Sequence, residues 1–103
     1  MNIPDDFMNI YLKSTIGKLY KILPLYEEYK ETISTYIHSL KSELIGALNN
    51  FPYLANNGKF IGIINTLAYM ANNEFSKEMC KREVFKCINV IEMIIKENGD
   101  TNE

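Results

Sequence analysis

The sequence has little of the residue types on which most active sites depend. Among 103 residues it has no tryptophan, one histidine and two cysteines, and its five glycines are scattered. Scattered glycines exclude the glycine-rich loop that cradles a phosphate. Cys80 and Cys87 lack zinc-site spacing, and seven residues of helix would separate them too widely for a disulfide. We therefore expect a chain that is not an enzyme, holds no cofactor or metal, and keeps two buried thiols.

An excess of one charge and long apolar runs are absent as well. Eleven basic and thirteen acidic residues give a net charge of −2, whereas nucleic-acid-binding domains are usually strongly basic. The longest uncharged stretches, 44–58 and 60–73, are shorter than the ~20 residues of a membrane helix. No basic start followed by an apolar run opens the chain. We expect a cytoplasmic protein that contacts neither membrane nor nucleic acid.

The sequence does have helical periodicity, and no alternating apolar and polar run predicts a strand. Apolar residues recur at spacings of three and four over 4–23, 25–49, 59–71 and 76–97. Pro24 is expected to end the first helix, Ser76 to cap the last one and Gly99 to end it. We predict an all-α fold: a compact four-helix bundle-like domain over 1–99, followed by a frayed polar tail at 100–103.

The second predicted helix has the clearest apolar face. Its apolar residues fall within an arc of about 140°. The members of this arc are Leu25, Tyr26, Tyr29, Ile33, Tyr36, Ile37, Leu40, Leu44, Ala47 and Leu48. His38 lies on the opposite, polar face, so we interpret it as a solvated residue rather than a ligand.

A short internal echo follows this helix. Tyr-Leu-Ala-Asn-Asn at 53–57 recurs as Tyr-Met-Ala-Asn-Asn at 69–73. Asparagine tolerates the left-handed conformation that closes helices, so we interpret the echo as a helix-ending device rather than as a small tandem repeat. This interpretation predicts one extra short helical turn at 52–56.

Apolar residues outside the helical stripes are the best candidates for a binding surface. Tyr20 and Tyr69 fall off the stripes of the first and third predicted helices, and Phe85 lies among charged residues of the last one. Met93 belongs to a second, minor apolar stripe on that helix. Aromatic and methionine side chains suit adaptable binding surfaces, so these four residues form the predicted interaction surface. The alternative is a central last helix, packed on two sides by its own chain.

A second surface hypothesis concerns basic residues. If the first and last helices adjoin, seven side chains would form one patch: Lys13, Lys18, Lys21, Lys77, Lys81, Arg82 and Lys86. Interleaved Glu78 and Glu83 favour an ordinary solvated face instead.

The absence of catalytic motifs and the surplus of apolar residues favour one class of function. We expect a non-enzymatic protein-interaction module, an adaptor or regulatory subunit, that binds another protein or a second copy of itself. The alternative is an immunity or inhibitor protein of a mobile element or bacteriocin system, which would bind one cognate protein stoichiometrically. These two differ in genetic context rather than in physics, so no residue pattern selects between them.

Overall fold

Helices account for nearly all of the chain. The computed structural model describes the backbone of residues 5–100 and the side chains of residues 7–98, and this part is 90% helical without strands, which confirms the predicted all-α fold. The helices are α1 (Asp5–Tyr20), α2 (Ile22–Glu28), α3 (Lys30–Asn50), α4 (Pro52–Ala55), α5 (Gly58–Asn72) and α6 (Lys77–Asp100). The extra helical turn predicted at 52–56 is α4.

The first break in the helical chain comes earlier than predicted. The first helix ends at Tyr20 rather than at Leu23, and Pro24 lies in the first turn of α2. A proline is tolerated there because the first N–H groups of a helix have no acceptor within it. Lys21, the residue at the break, remains hydrogen-bonded to both helices: its N–H donates to the Gly17 carbonyl at 3.3 Å, and its carbonyl accepts from Leu25 N–H at 3.4 Å.

The second break was not predicted, because residues 25–49 were expected to form one uninterrupted helix. Tyr29 has φ −138° and ψ 55°, which separates α2 from α3. Its carbonyl accepts hydrogen bonds from both the N–H and the hydroxyl of Thr32, each at 2.9 Å. Tyr29 belongs to the apolar arc that was expected to face inward, but this expectation is wrong, since the residue is 60% exposed. The rest of the predicted face packs inward, with Ile33, Ile37, Leu40, Leu44 and Ala47 buried.

The first asparagine of the echo at 53–57 and 69–73 is indeed a helix-ending device, although its mechanism differs from the expected one, whereas the second asparagine of the first copy, Asn57, begins α5. Asn56 and Asn72, at equivalent positions, each donate a side-chain amide hydrogen bond to the carbonyl four residues earlier, at 3.1 and 2.9 Å. No described residue adopts a positive φ. The side-chain amides thus satisfy carbonyls at the helix ends without a left-handed residue.

Side-chain caps begin the last two long helices. The Asn57 side-chain oxygen accepts from the N–H groups of Lys59 and Phe60 at 2.9 and 3.1 Å, and Ser76 Oγ accepts from Met79 N–H at 3.1 Å. The predicted cap at Ser76 is confirmed. The predicted stop at Gly99 is not observed, because α6 continues to Asp100. Of the predicted tail, residues 101–103 lie outside the described residues.

Helix α1 packs on α6 and α2, and side-chain contacts join it to α3. Tyr36 Oη donates to the Lys18 carbonyl at 2.8 Å, which joins α3 to α1, and the side chains of Asn98 and Asn9 hydrogen-bond at 3.1 Å, which joins α6 to α1. Helix α5 packs on α3 and α6, and α2 packs on α3 and α6. One apolar core unites these helices in a compact domain of 44 × 23 × 20 Å. Within residues 5–100, none of the helices combines the length and apolar composition needed to span a bilayer.

Candidate interaction surface

Tyr20 and Phe85 meet on the surface where α1 packs against α6. Their ring centroids are 5.9 Å apart and the ring planes meet at 76°, an edge-to-face arrangement that aromatic rings favour. Tyr20 is 46% exposed and Phe85 43% exposed. Together with the bond between Asn9 and Asn98, this contact shows that α1 and α6 run antiparallel. We call these two side chains the aromatic pair.

The local sequence explains why the aromatic pair lies outside the core. Tyr20 is the last residue of α1 and follows buried Leu19, and Phe85 follows buried Val84. One helical residue changes the direction of a side chain by about 100°, so each ring points away from the core face while its neighbour points into it. The helix pairing then places one ring edge against the other.

Polar and small residues surround the aromatic pair. Lys81, Arg82 and Asn89 lie within one turn of Phe85 on α6, and all three are exposed. Gly17 lies one turn before Tyr20 and is also exposed. The aromatic pair thus has polar side chains beside it on α6 and a residue without a side chain beside it on α1.

The structure brings together two of the four predicted surface residues. Met93 is 47% exposed, but it lies eight residues beyond Phe85, about 12 Å along α6. Tyr69 is 54% exposed on α5, the helix that packs on α3 and α6. All four residues are exposed, and Tyr20 and Phe85 are the ones that share a contact.

Carboxylates neutralise much of the basic patch considered from the sequence. Lys18 forms an ion pair with Glu43 at 2.8 Å, and the Arg82 guanidinium contacts Glu83 at 3.2 Å. Lys77 is paired with Glu27, and this contact holds the pKa of the Glu27 carboxyl below its usual value. Three of the seven basic residues are thus already engaged within the chain, which favours an ordinary solvated face.

The two cysteines and the single histidine lie in opposite environments. Cys80 and Cys87 are buried, as predicted, and burial raises the pKa of the Cys87 thiol to about 12. His38 is exposed on α3, as predicted. No group of three or more His, Cys, Asp or Glu among the described residues could hold a metal ion.

The helix breaks create concave surfaces that the sequence pattern did not predict. Two clefts of about 280 Å³ flank Pro24 on opposite sides of α2. One is lined by Leu23, Pro24, Tyr26, Glu27, Glu28, Lys77, Cys80 and Lys81, and the other by Lys21, Pro24, Leu25, Glu28, Tyr29 and Tyr36. Pro24 was the signal in the sequence that a helix is interrupted here. Whether clefts form beside it depends on where α2 packs.

A third cavity, of about 430 Å³, lies between the start of α3 and the segment that joins α5 to α6. Tyr26 and Phe75 lie side by side in its wall, with ring centroids 5.7 Å apart, and Tyr26 Oη donates to the Phe75 carbonyl at 3.0 Å. Lys30 Nζ lies 5.0 Å from the centre of the Tyr26 ring. Ser34, Asn72 and Asn73 in the lining also donate side-chain hydrogen bonds to backbone carbonyls. Most polar side chains of the cavity are thus engaged within the chain, so it is a weaker candidate than the aromatic pair.

No protein-family model, curated protein or solved structure matches this chain.

Proposed function

We propose that this chain is a non-enzymatic protein-interaction module, an adaptor or regulatory subunit, whose binding surface is centred on the aromatic pair. One observation carries the proposal. Tyr20 and Phe85 come from opposite ends of the sequence, both lie off the apolar stripes of their helices, and they meet while staying 46% and 43% exposed.

The composition around the aromatic pair supports this role. The centres of protein interfaces are enriched in aromatic side chains, and their rims are polar. Phe85 has Lys81, Arg82 and Asn89 around it, so the patch has the same arrangement. Fully burying a large apolar side chain is worth about 1.5–3 kcal/mol, and both rings are already more than half buried, so a partner that covers them gains only the remaining part of that amount at each ring.

A capture experiment with one matched control tests the proposal. Affinity-tagged wild-type protein, Phe85→Glu and Tyr53→Glu are each incubated with lysate of the native host. Tyr53 is also 43% exposed, but it lies on α4, which packs on α3 and α5. A protein retained by the wild type and by Tyr53→Glu should be lost from Phe85→Glu, and the purified proteins should reproduce that difference.

Circular dichroism of each variant separates binding from folding. Phe85→Glu should keep the helicity and melting temperature of the wild type, because Phe85 lies outside the buried core. If Phe85→Glu unfolds, Tyr20→Glu tests the same surface. Equal retention of the partner by wild type and by folded variants of both aromatic residues would refute the proposed surface.

A further inference from the structure

The outer face of α6 carries a regular stripe of exposed residues. Successive members are four, three, four, three and four residues apart, which keeps them within an arc of about 80° on a helix. All six are exposed, and they are Glu78, Arg82, Phe85, Asn89, Glu92 and Lys96. We call this set the α6 stripe. Phe85 also contacts Tyr20 of α1, yet it too remains exposed.

When the α6 stripe is set against a second, reversed copy of itself, each charged residue meets a residue of the opposite charge. From the first residue to the last it reads acid, base, aromatic, amide, acid, base. When two copies of α6 pack antiparallel about a two-fold axis near residue 87, Glu78 faces Lys96 of the second copy. Arg82 then faces Glu92, and Phe85 faces Asn89. Each pair occurs twice, because a two-fold axis repeats every contact.

The parallel arrangement has the opposite property. It places each residue of the α6 stripe against its own copy, so that Glu78 faces Glu78 and Arg82 faces Arg82. Like charges in direct contact destabilise an interface. The charge order therefore favours the antiparallel arrangement, in the register centred near residue 87, which pairs all four charged residues of the stripe with opposite charges.

The surroundings of the α6 stripe suit the approach of a second helix. Gly17, one turn before Tyr20 on α1, has no side chain that would obstruct this approach. The contact between Arg82 and Glu83 at 3.2 Å involves an Arg82 side chain that is 68% exposed, so it competes weakly with a new partner.

We propose that the chain forms a symmetric dimer in which the α6 stripes of two copies pack antiparallel, with the aromatic pairs at the centre of the interface. The inference rests on the proposed function and specifies its partner as a second copy of this chain. From residue 78 to residue 96 the stripe extends for about 27 Å of helix. Because four of its six residues are charged, association should weaken as the salt concentration rises.

Charge reversal tests the dimer and its register together. Sedimentation equilibrium measures self-association of the wild type, Arg82→Glu, Glu92→Arg and the variant with both changes. Each single reversal places like charges together twice, so its dissociation constant should rise by about tenfold or more. The double variant exchanges the two charges and restores every opposite pair, so its dissociation constant should return close to that of the wild type.

Lys41→Glu is the matched control. Its reversal changes the net charge as much as Arg82→Glu does, but Lys41 lies on α3, which packs on α2, α4 and α5. It should therefore leave the dissociation constant nearly unchanged. Circular dichroism should show equal helicity in all variants.

Three outcomes would overturn the inference. They are a wild type that sediments as a monomer up to millimolar concentration, a dimer that Arg82→Glu does not weaken, and a double variant that does not recover. The first leaves the proposed function intact, since the capture experiment measures another partner independently. If Phe85→Glu affects neither self-association nor capture, the proposed function fails as well.

Discussion

Neighbouring side chains on one helix have very different roles in this protein. On α3, Leu40 is 4% exposed and joins the core, whereas His38, two residues earlier, is exposed. On α6, buried Val84 precedes Phe85, which is 43% exposed. Substitution of an inward and an outward residue on the same helix should therefore separate stability from binding.

Truncation of Leu40 should destabilise the fold strongly. Leu40→Ala removes buried methyl groups and leaves a cavity, which typically lowers the free energy of unfolding by about 2–5 kcal/mol. His38→Ala, the control on the same helix, should change it by no more than about 0.5 kcal/mol. Urea unfolding followed by circular dichroism measures both values. Equal unfolding midpoints would mean that the apolar face of α3 is misplaced.

The two thiols should react slowly in the folded protein. Cys80 is 1% exposed and Cys87 is 3% exposed, and burial raises the pKa of both thiols. At about pH 8 the reactive thiolate is therefore scarce as well as inaccessible. Labelling with a thiol reagent should be slow in buffer and fast in denaturant. Rapid labelling of both cysteines in buffer would show that α6 exposes the face assigned here to the core.

The helices depend on local caps as well as on the core. Asn57 begins α5 by accepting two backbone N–H groups with one side-chain oxygen. Its replacement by alanine leaves these donors without that partner, and loss of such a cap typically costs about 0.5–2 kcal/mol.

We expect Asn57→Ala to lower the free energy of unfolding by about 1 kcal/mol. Asn65→Ala is the control, because Asn65 is exposed within α5, where alanine is the better helix former. Thermal or urea unfolding of the two variants gives the comparison. An equally large decrease in the free energy of unfolding of Asn65→Ala would show that the effect comes from replacing an asparagine in general and not from the loss of the cap.

Apolar spacing predicts the helices well where one side faces the core. The predicted limits 59–71 and 76–97 agree with those of α5 and α6 to within a few residues. They agree because the caps and the buried stripes that define these helices are both local signals. The break at Tyr29 is different, because Tyr29 fits the apolar spacing and tyrosine is no helix breaker. Contacts between distant residues hold α2 in its position, including Tyr26 Oη to the Phe75 carbonyl and the ion pair of Glu27 with Lys77. The apolar spacing along the sequence does not reveal these contacts between distant residues.

The candidate surface, too, has features that the sequence pattern indicates and features that depend on how the helices pack. Tyr20 and Phe85 could be chosen singly, because each departs from the apolar pattern of its own helix. Their contact depends on the antiparallel register of α1 against α6, which buried residues on both helices set together. The clefts beside Pro24 depend in turn on the packing of α2 against α3 and α6.

All six helices contribute to one core, so the whole domain should unfold as a unit. The buried cluster includes residues from every helix, from Met8 on α1 through Leu54 on α4 to Ile94 on α6. Even α2, with seven residues, contributes Ile22. An isolated helix of this length is unstable in water, so its stability comes from the shared core.

Urea unfolding at a fixed protein concentration should therefore give a single transition. Circular dichroism reports the helices, and tyrosine fluorescence reports the seven tyrosines without interference from tryptophan, which the sequence lacks. The two midpoints should coincide, as two-state unfolding requires. An earlier fluorescence transition would show that the tyrosine-rich region around α2 unfolds before the rest.

The backbone has no described residue with a positive φ, and this leaves the protein room to become more stable through its unfolded state. Gly46 and Gly62 lie within α3 and α5, and a Cβ at either position would have no atom within 4 Å. Neither glycine is required by its conformation, yet each enlarges the set of conformations open to the unfolded chain. Alanine at each site would reduce that entropy and raise the free energy of unfolding by about 0.4–1 kcal/mol. The natural sequence therefore does not give this fold its highest free energy of unfolding.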